Sequence, residues 1–375
     1  MTKNLLNDKK IAIIGGGPVG LAFAKLLQQE NIDVKVYERD INEFARIEGG
    51  TLDLLPDMGQ KAFEKAGVLA EYYKHSRPTG MRFADINGNV VLDNAPDTNN
   101  PEIDRNDIRM IFFQSLQPNT VAWDRKLVSV EEQNQKFSLH FENGIIETAD
   151  LVVGANGIMS GVRKYITDTQ AKYTGQVAIT GEISDYETRC PNFKKLCGET
   201  MLLVIEEHKF FVSQIKANGE LFYYILFSKP ESWIKESGLN FKDNRQISKF
   251  LNDLLVNWND AYKELFTATD KFALMPMRQA ALQNWRPHKN ITLIGDAAHG
   301  MPPYAGVGVN IGLLDALHLA ENLTNGKFSD IESAIQDYEN KMFEYSLEAQ
   351  QETTNNGTEI FDKGINVFFN MSDGD

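Results

Sequence analysis

The chain has 375 residues, 42% hydrophobic and 24% charged, with a formal net charge of −14. Globular proportions at this length exclude wholesale disorder, a collagen-like repeat and a disulfide scaffold. The acidic balance argues against a broad nucleic-acid or anionic-membrane surface. At about 150 residues per domain the length gives two or three domains. Cys190 and Cys197, the only cysteines, have no histidine at metal-ligand spacing and read as reduced thiols. No apolar signal segment follows Met1, and the uncharged run over 11–24 is too short and glycine-broken to span a bilayer. The expectation is a cytoplasmic, monomeric protein without a metal, nucleic-acid or membrane partner.

The first forty residues spell a βαβ unit. Lys10-Ile11-Ala12-Ile13-Ile14 is an apolar run suited to a strand buried on both faces. Glycines follow at 15–20, then helical spacing over 21–27, then a second strand at 33–38. Further along, the pattern predicts a helix over 107–116, antiparallel strands over 126–130 and 137–141, and a short buried strand running from Asp150 into the Asn156-Gly157 turn. Residues 176–183, 201–205, 210–215 and 221–227 read as strands of a mostly antiparallel sheet, and 247–266 as one amphipathic helix carrying Leu251, Leu254, Leu255, Trp258 and Tyr262. A buried strand returns at 290–296, followed by helices over 313–323 and about 331–353. The chain thus leaves its first domain for a sheet-based second one and comes back.

Gly15-Gly16-Gly17-Pro18-Val19-Gly20 fits the spacing of a dinucleotide loop between strand and helix. Gly15 permits the tight turn, Gly17 the close approach of a pyrophosphate, and Gly20 the packing of helix on strand. The helix start supplies N–H groups and partial positive charge. Glu38, 18 residues after Gly20 at the end of the second strand, stands where an acid accepts ribose hydroxyls. A second constellation follows a later strand: Gly295-Asp296-Ala297-Ala298-His299, Pro302-Pro303, then Gly306-Val307-Gly308-Val309-Asn310 opening a helix. An acid at a strand end suits ribityl hydroxyls, and a helix start beyond Gly308 favours a ring that gains negative charge. His299 reads as a hydrogen-bonder of the turn rather than a base.

Together these stretches resemble the FAD-dependent aromatic hydroxylase class of monooxygenases. Val36-Tyr37-Glu38-Arg39-Asp40, Gly49-Gly50-Thr51-Leu52-Asp53-Leu54, Asn106-Asp107-Ile108-Arg109 and Trp123-Asp124-Arg125-Lys126-Leu127-Val128 narrow the likeness to the tetracycline-inactivating flavin monooxygenases, as do Thr148-Ala149-Asp150-Leu151-Val152 and Met301-Pro302-Pro303. The resemblance implies an α/β fold: a Rossmann-like FAD-binding domain, a smaller, mostly antiparallel substrate domain and a long C-terminal helix. Its expected boundaries are 1–172 for the first part of the FAD domain, 173–275 for the substrate domain, 276–328 for the return segment and 329–375 for the helix. It further implies that Glu38 and Arg39 hold the adenosine end of FAD and that Asp53 and Asp296 sit by the isoalloxazine and ribityl part. Arg109 would contact the ribityl–pyrophosphate region, and Arg46 a transiently docked NADPH. NADPH would reduce the flavin, O2 would add at C4a, and the hydroperoxide would oxygenate an electron-rich carbon. No catalytic side chain is required.

The departures lie in the substrate domain. Where the tetracycline enzymes carry Gln, Arg and His, this chain has Thr180, Met201 and Phe222. Val307 stands for a Gln in the loop, and Gly300 for a Leu, with Pro303 and Gly306 nearby as substrate contacts. Losing long polar groups removes hydrogen bonds on which discrimination depends. Three readings stand: hydroxylation of a tetracycline-like polycyclic with altered drug range, the same chemistry on another phenolic or polyketide aromatic, or a flavoprotein that sequesters its ligand without turnover.

Overall fold

The computed structural model describes residues 5–45, 49–206 and 208–363, the side chains of 362 and 363 excepted. Its elements begin β1 (Ile11–Ile14), α1 (Pro18–Gln29), β2 (Val34–Tyr37), β3 (Thr51–Asp53), α2 (Lys61–Lys65), α3 (Leu69–His75), β4 (Met81–Ala84), β5 (Val90–Asn94), β6 (Glu102–Asp104), α4 (Arg105–Ser115) and β7 (Val121–Ala122). They continue with β8 (Leu127–Gln133), β9 (Lys136–Phe141), β10 (Ile146–Ala149), β11 (Leu151–Gly154), β12 (Lys172–Ile183), α5 (Tyr186–Arg189), α6 (Pro191–Cys197), β13 (Met201–Glu206), β14 (Lys209–Ile215) and β15 (Leu221–Ser228). The last are α7 (Trp233–Glu236), α8 (Asn244–Leu254), α9 (Asp260–Ala268), β16 (Lys271–Gln279), β17 (Ile291–Leu293), α10 (Asp296–His299), α11 (Gly308–Thr324) and α12 (Ile331–Lys363).

The apolar runs at 11–14 and 151–154 are buried at every position and lie side by side at the centre of a parallel five-stranded sheet, order β17-β11-β1-β2-β7. A strand covered on both faces has no use for alternation, which is why these segments are uniformly apolar. β17 joins β11 only after the excursion through the second sheet, so the return strand stands where the sequence places it. The second sheet has seven strands, order β16-β12-β15-β14-β13-β4-β5. All its pairs are antiparallel except β13 with β4. Its two ends draw on residues outside 173–275: β4 and β5 come from 81–94, and β16 runs on to Gln279.

The seven-stranded sheet divides two cores. One face carries Val177, Ile179, Phe211, Tyr223 and Ile225 against the buried residues of α6, α8 and α9. The other carries Ala178, Leu203, Phe210, Val212 and Leu226 and meets Ile360 and Phe361 near the end of α12. Sequence periodicity runs 247–266 together as one helix, but the structure breaks it in two. α8 ends at Leu255 (φ −111°, ψ 36°), and Asn259 caps α9 by accepting from the Ala261 N–H at 2.9 Å. Trp258 is buried in the break, which preserves the apolar register while the backbone turns. A strong cap residue inside a periodic run marks a new start. Among the described residues no helix is long and apolar enough to cross a membrane, and no three His, Cys, Asp or Glu side chains gather to hold a metal.

α12 brings a buried acid onto β17: Thr292 Oγ1 donates to Glu339 Oε1 at 2.7 Å. Burial pushes the Glu339 carboxyl from its ordinary 4.5 up to about 7, against the pull of that one hydrogen bond. The folded state therefore holds a proton that the unfolded state releases, so this contribution is full below about pH 4.5 and lost as pH rises through 7. The urea midpoint is expected to fall between pH 5 and pH 8. Glu339→Gln should flatten that slope by on the order of 3 kcal/mol; an unchanged slope would contradict the assignment.

Candidate functional site

The glycine turn is built as its spacing predicts. Gly15 has φ +114°, and a Cβ there would lie 2.5 Å from the Ala155 carbonyl oxygen; one on Gly20 would lie 2.2 Å from the Gly15 oxygen. Both must be glycine for α1 to pack onto β1 and the end of β11. Gly17 differs: its backbone is extended (φ −79°, ψ 174°), and a Cβ there would meet nothing within 4 Å. The helix start at Gly17 has no side-chain cap. Gly17 is thus open toward a ligand where Gly15 and Gly20 are closed by protein.

Glu38, 4% exposed at the end of β2, accepts from the Gly16 N–H at 2.5 Å and the Asp40 N–H at 3.0 Å. It therefore shapes the loop as well as standing beside it, and Arg39 is exposed next to it at the rim. Arg109, buried on α4, donates from Nε to the Gly16 oxygen and from Nη1 to the Glu43 oxygen, both at 2.9 Å. Its guanidinium lies 5.5 Å from the Trp123 ring centre. Nη2 is buried without a hydrogen-bond partner among the described residues; the nearest acid oxygen is Asp40 Oδ2 at 3.7 Å. A buried cationic N–H is costly to leave unmet, so this atom fits an anionic group laid along the loop. Arg46 lies outside the described residues.

The second glycine segment reaches the first: an added Cβ on Gly295 would lie 3.3 Å, and one on Gly312 2.8 Å, from the Val19 side chain. Asp296 is the exposed residue in the otherwise buried run 291–300 and opens α10 directly after β17. Gly306 (φ +69°) and Gly308 likewise have nothing within 4 Å of an added Cβ, and α11 begins at Gly308 without a side-chain cap. Pro303 is exposed beside them. Asn310, expected at the cofactor, is fully buried, and its amide joins protein to protein. It accepts from the Leu55 N–H at 2.8 Å and donates to the Asp53 oxygen at 3.1 Å. It pins the end of β3 to α11 and so positions Asp53, whose carboxyl is raised chiefly by burial and further by Asp97.

Two buried networks hold the second loop, and sequence reading missed most of both. Asp315 Oδ2 accepts from the Gly295 N–H at 2.6 Å and lies 2.7 Å from His299 Nε2, while Oδ1 accepts from Tyr345. His299 is 1% exposed and occupied there. Arg163 donates to the carbonyl oxygens of Thr169, Ala281, Ala297 and Ala298, binding α10 from beneath, and burial pushes its guanidinium down to about 10. No local signal marks Arg163, which opens a 3-10 turn at Arg163–Tyr165, six residues beyond Gly157.

Strand register brings the three substrate-domain departures onto one face. Thr180 pairs with Tyr224, and Gln214 with Phe222, while Met201 begins β13 one strand over. This inner face meets the start of β3: Gln214 accepts from the Thr51 N–H at 3.2 Å and donates to the Thr51 oxygen at 3.1 Å, and a Cβ on Gly50 would touch the Phe222 ring at 2.7 Å. β3 and β6 form the facing ribbon, with Asp53 opposite Glu102. Tyr224 and Glu102 were missed. Period-two alternation from Phe222 would have found the first; no local signal marks the second.

A model described as FAD binding domain matches residues 8–327. The chain belongs to that family. The monooxygenase asqM of Emericella nidulans is 26% identical over 373 residues, spanning 84% of each chain. Among solved structures, Klebsiella pneumoniae HpxO complexed with FAD and uric acid superposes with a TM-score of 0.76 at 19% identity, covering 96% of this chain and 90% of that one. The tetracycline destructase Tet(51) superposes at 0.71 with 20% identity, covering 92% and 88%. These structures speak for the fold. Family membership and its named relatives make this an FAD-dependent monooxygenase, and the open glycines, uncapped helix starts and orphaned Arg109 Nη2 fit the cofactor.

Proposed function

We propose that this protein hydroxylates a tetracycline-like polycyclic phenolic substrate, using NADPH as reductant and O2 as oxygen source, with FAD resident along both glycine loops. What supports the reading is proximity: Gly295 and Gly312 lie against Val19 of the first glycine loop, and Gly50 lies against Phe222 on the sheet face that also bears Thr180 and Met201. FAD, when bound, supplies electron acceptance and oxygen activation. The chain's own residues do the rest. Gly15, Gly17 and Gly20 shape the phosphate turn, Glu38 and Arg109 fix it, and Asp53 and Asp296 face the ribityl and ring end. The apolar inner face excludes water from the reacting carbon.

A second reading, a smaller flat phenolic substrate, draws support from the rings of Phe222 and Tyr224. Their centres are 6.2 Å apart on the face where the tetracycline enzymes place polar groups. Mass-resolved turnover across tetracyclines and simple phenols separates the two. The expected result is NADPH oxidation accelerated by a tetracycline, with a product heavier by one oxygen. Acceleration by simple phenols alone selects the second reading. Tight binding without accelerated NADPH use selects sequestration.

A further inference from the structure

Among the described residues two buried polar atoms, Glu102 Oε2 and Tyr304 Oη, have no hydrogen-bond partner, and their positions describe the ligand that would satisfy them. Glu102 lies on β6, on the same face as Thr51, Asp53 and Asp104 by the β3–β6 register. That face is tied to the inner face of the large sheet by the Gln214–Thr51 pair and by Asp104, which accepts from the Ala217 N–H at 3.1 Å. Glu102 lies two residues before Asp104, and its charge reinforces the burial that raises the Tyr224 hydroxyl. Its Oε2 is buried and unpartnered among the described residues. Arg77, the nearest cation, commits Nη2 to Asp104 Oδ1 at 2.9 Å and to the Ile215 oxygen.

Burial, reinforced by Asp53 and Asp104 and opposed by Thr51 and Arg77, pushes the Glu102 carboxyl up to about 7, so it is an unusually basic acceptor near neutrality. Tyr304, between the exposed Pro303 and Gly306, presses its ring against Phe361 at 5.9 Å, and it too feels Tyr224. Its Oη is also buried without a partner among the described residues. Unsatisfied buried groups of this kind are costly, and Tyr304 and Tyr224 pack against the same apolar cluster, on the sheet face to which the Glu102 ribbon is tied.

We propose that Glu102 and Tyr304 read the polar edge of the substrate: Glu102 Oε2 accepts a hydrogen bond from a phenolic hydroxyl, and Tyr304 Oη donates one to a carbonyl oxygen of the same molecule. This rests on the reading above that the substrate is a hydroxylated aromatic. It makes both residues determinants of specificity and explains how a face lacking long polar groups still selects among ring systems. A carboxylate acceptor rejects an ether in place of a hydroxyl because the ether has no proton to give.

The test is calorimetric titration of the FAD-loaded protein with 4-hydroxyacetophenone and 4-methoxyacetophenone, which differ in that one proton. The phenol is expected to bind at least about tenfold tighter than the ether. Glu102→Leu should bring the ratio close to one, and Tyr304→Phe should weaken both ketones alike. A ratio near one in the unaltered protein, a ratio that survives Glu102→Leu, or binding of neither ketone overturns the assignment. If the leucine variant does not fold, Glu102→Gln decides: a reduced ratio supports the proposal and an unchanged one overturns it. These results leave the flavin in place and so count against this inference alone; protein that takes up no flavin overturns the functional reading as well.

Discussion

Gly17→Val is expected to fold normally and to lose its flavin. A side chain at this position meets no protein atom within 4 Å, and the extended backbone accepts any residue. The apoprotein's melting temperature should therefore hold within about 2 °C, as for substitutions that touch nothing. With FAD placed along this loop as proposed, the valine would meet the pyrophosphate and displace it from the first N–H groups of α1. Losing two charge-assisted hydrogen bonds weakens binding by roughly 100-fold or more. Fluorimetric titration with FAD beside a thermal melt reads both quantities. Gly20→Ala is the contrast, since its methyl would strike the Gly15 oxygen at 2.2 Å and should lower stability outright. Flavin affinity unchanged in Gly17→Val would remove the cofactor from this turn.

Arg163→Met is the second large effect, and it acts on stability. The side chain is 1% exposed and satisfies carbonyl oxygens from three separate segments, at 169, at 281 and at 297–298. Methionine fills the volume but supplies no donors, leaving several buried acceptors unmet at about 1–3 kcal/mol each. The surrounding structure recovers part of that, so a loss of about 3–5 kcal/mol in unfolding free energy is expected, read from urea melts of the apoprotein. Because Ala297 and Ala298 follow Asp296 directly, flavin affinity should fall with it. A variant within 1 kcal/mol of the parent would show that these carbonyls find other partners.

The parallel sheet was legible because strands buried on both faces leave continuous apolar runs, as at Ile11–Ile14 and Leu151–Gly154. The first glycine loop was legible because steric demands at Gly15 and Gly20 leave no alternative residue, and the second because Gly306 is held at φ +69°. The β4–β5 hairpin was not: Val90 and Leu92 are exposed or nearly so, and its place in the large sheet depends on a parallel pairing with β13 more than a hundred residues later. Asn310 was assigned to the cofactor from its loop, whereas its amide is spent on Asp53 and Leu55, contacts separated by some 255 positions. Glu102 carries no pattern at all. Its chemistry arises from the ribbon that buries it, and burial of an acid is a property of tertiary structure.

The late arrival of β17 sets an order of events during synthesis. A nascent chain that has emerged through β16 can pair β1 with β2 and β11, and β2 with β7, and can complete the large sheet, yet it lacks the strand, turn and helix that carry Asp296 and Gly308. One half of the cradle thus waits on contacts more than 270 positions apart, which are slow to close. Coenzyme capture is then the closing act of maturation, and until β17 docks the edge of β11 stays open to mispairing.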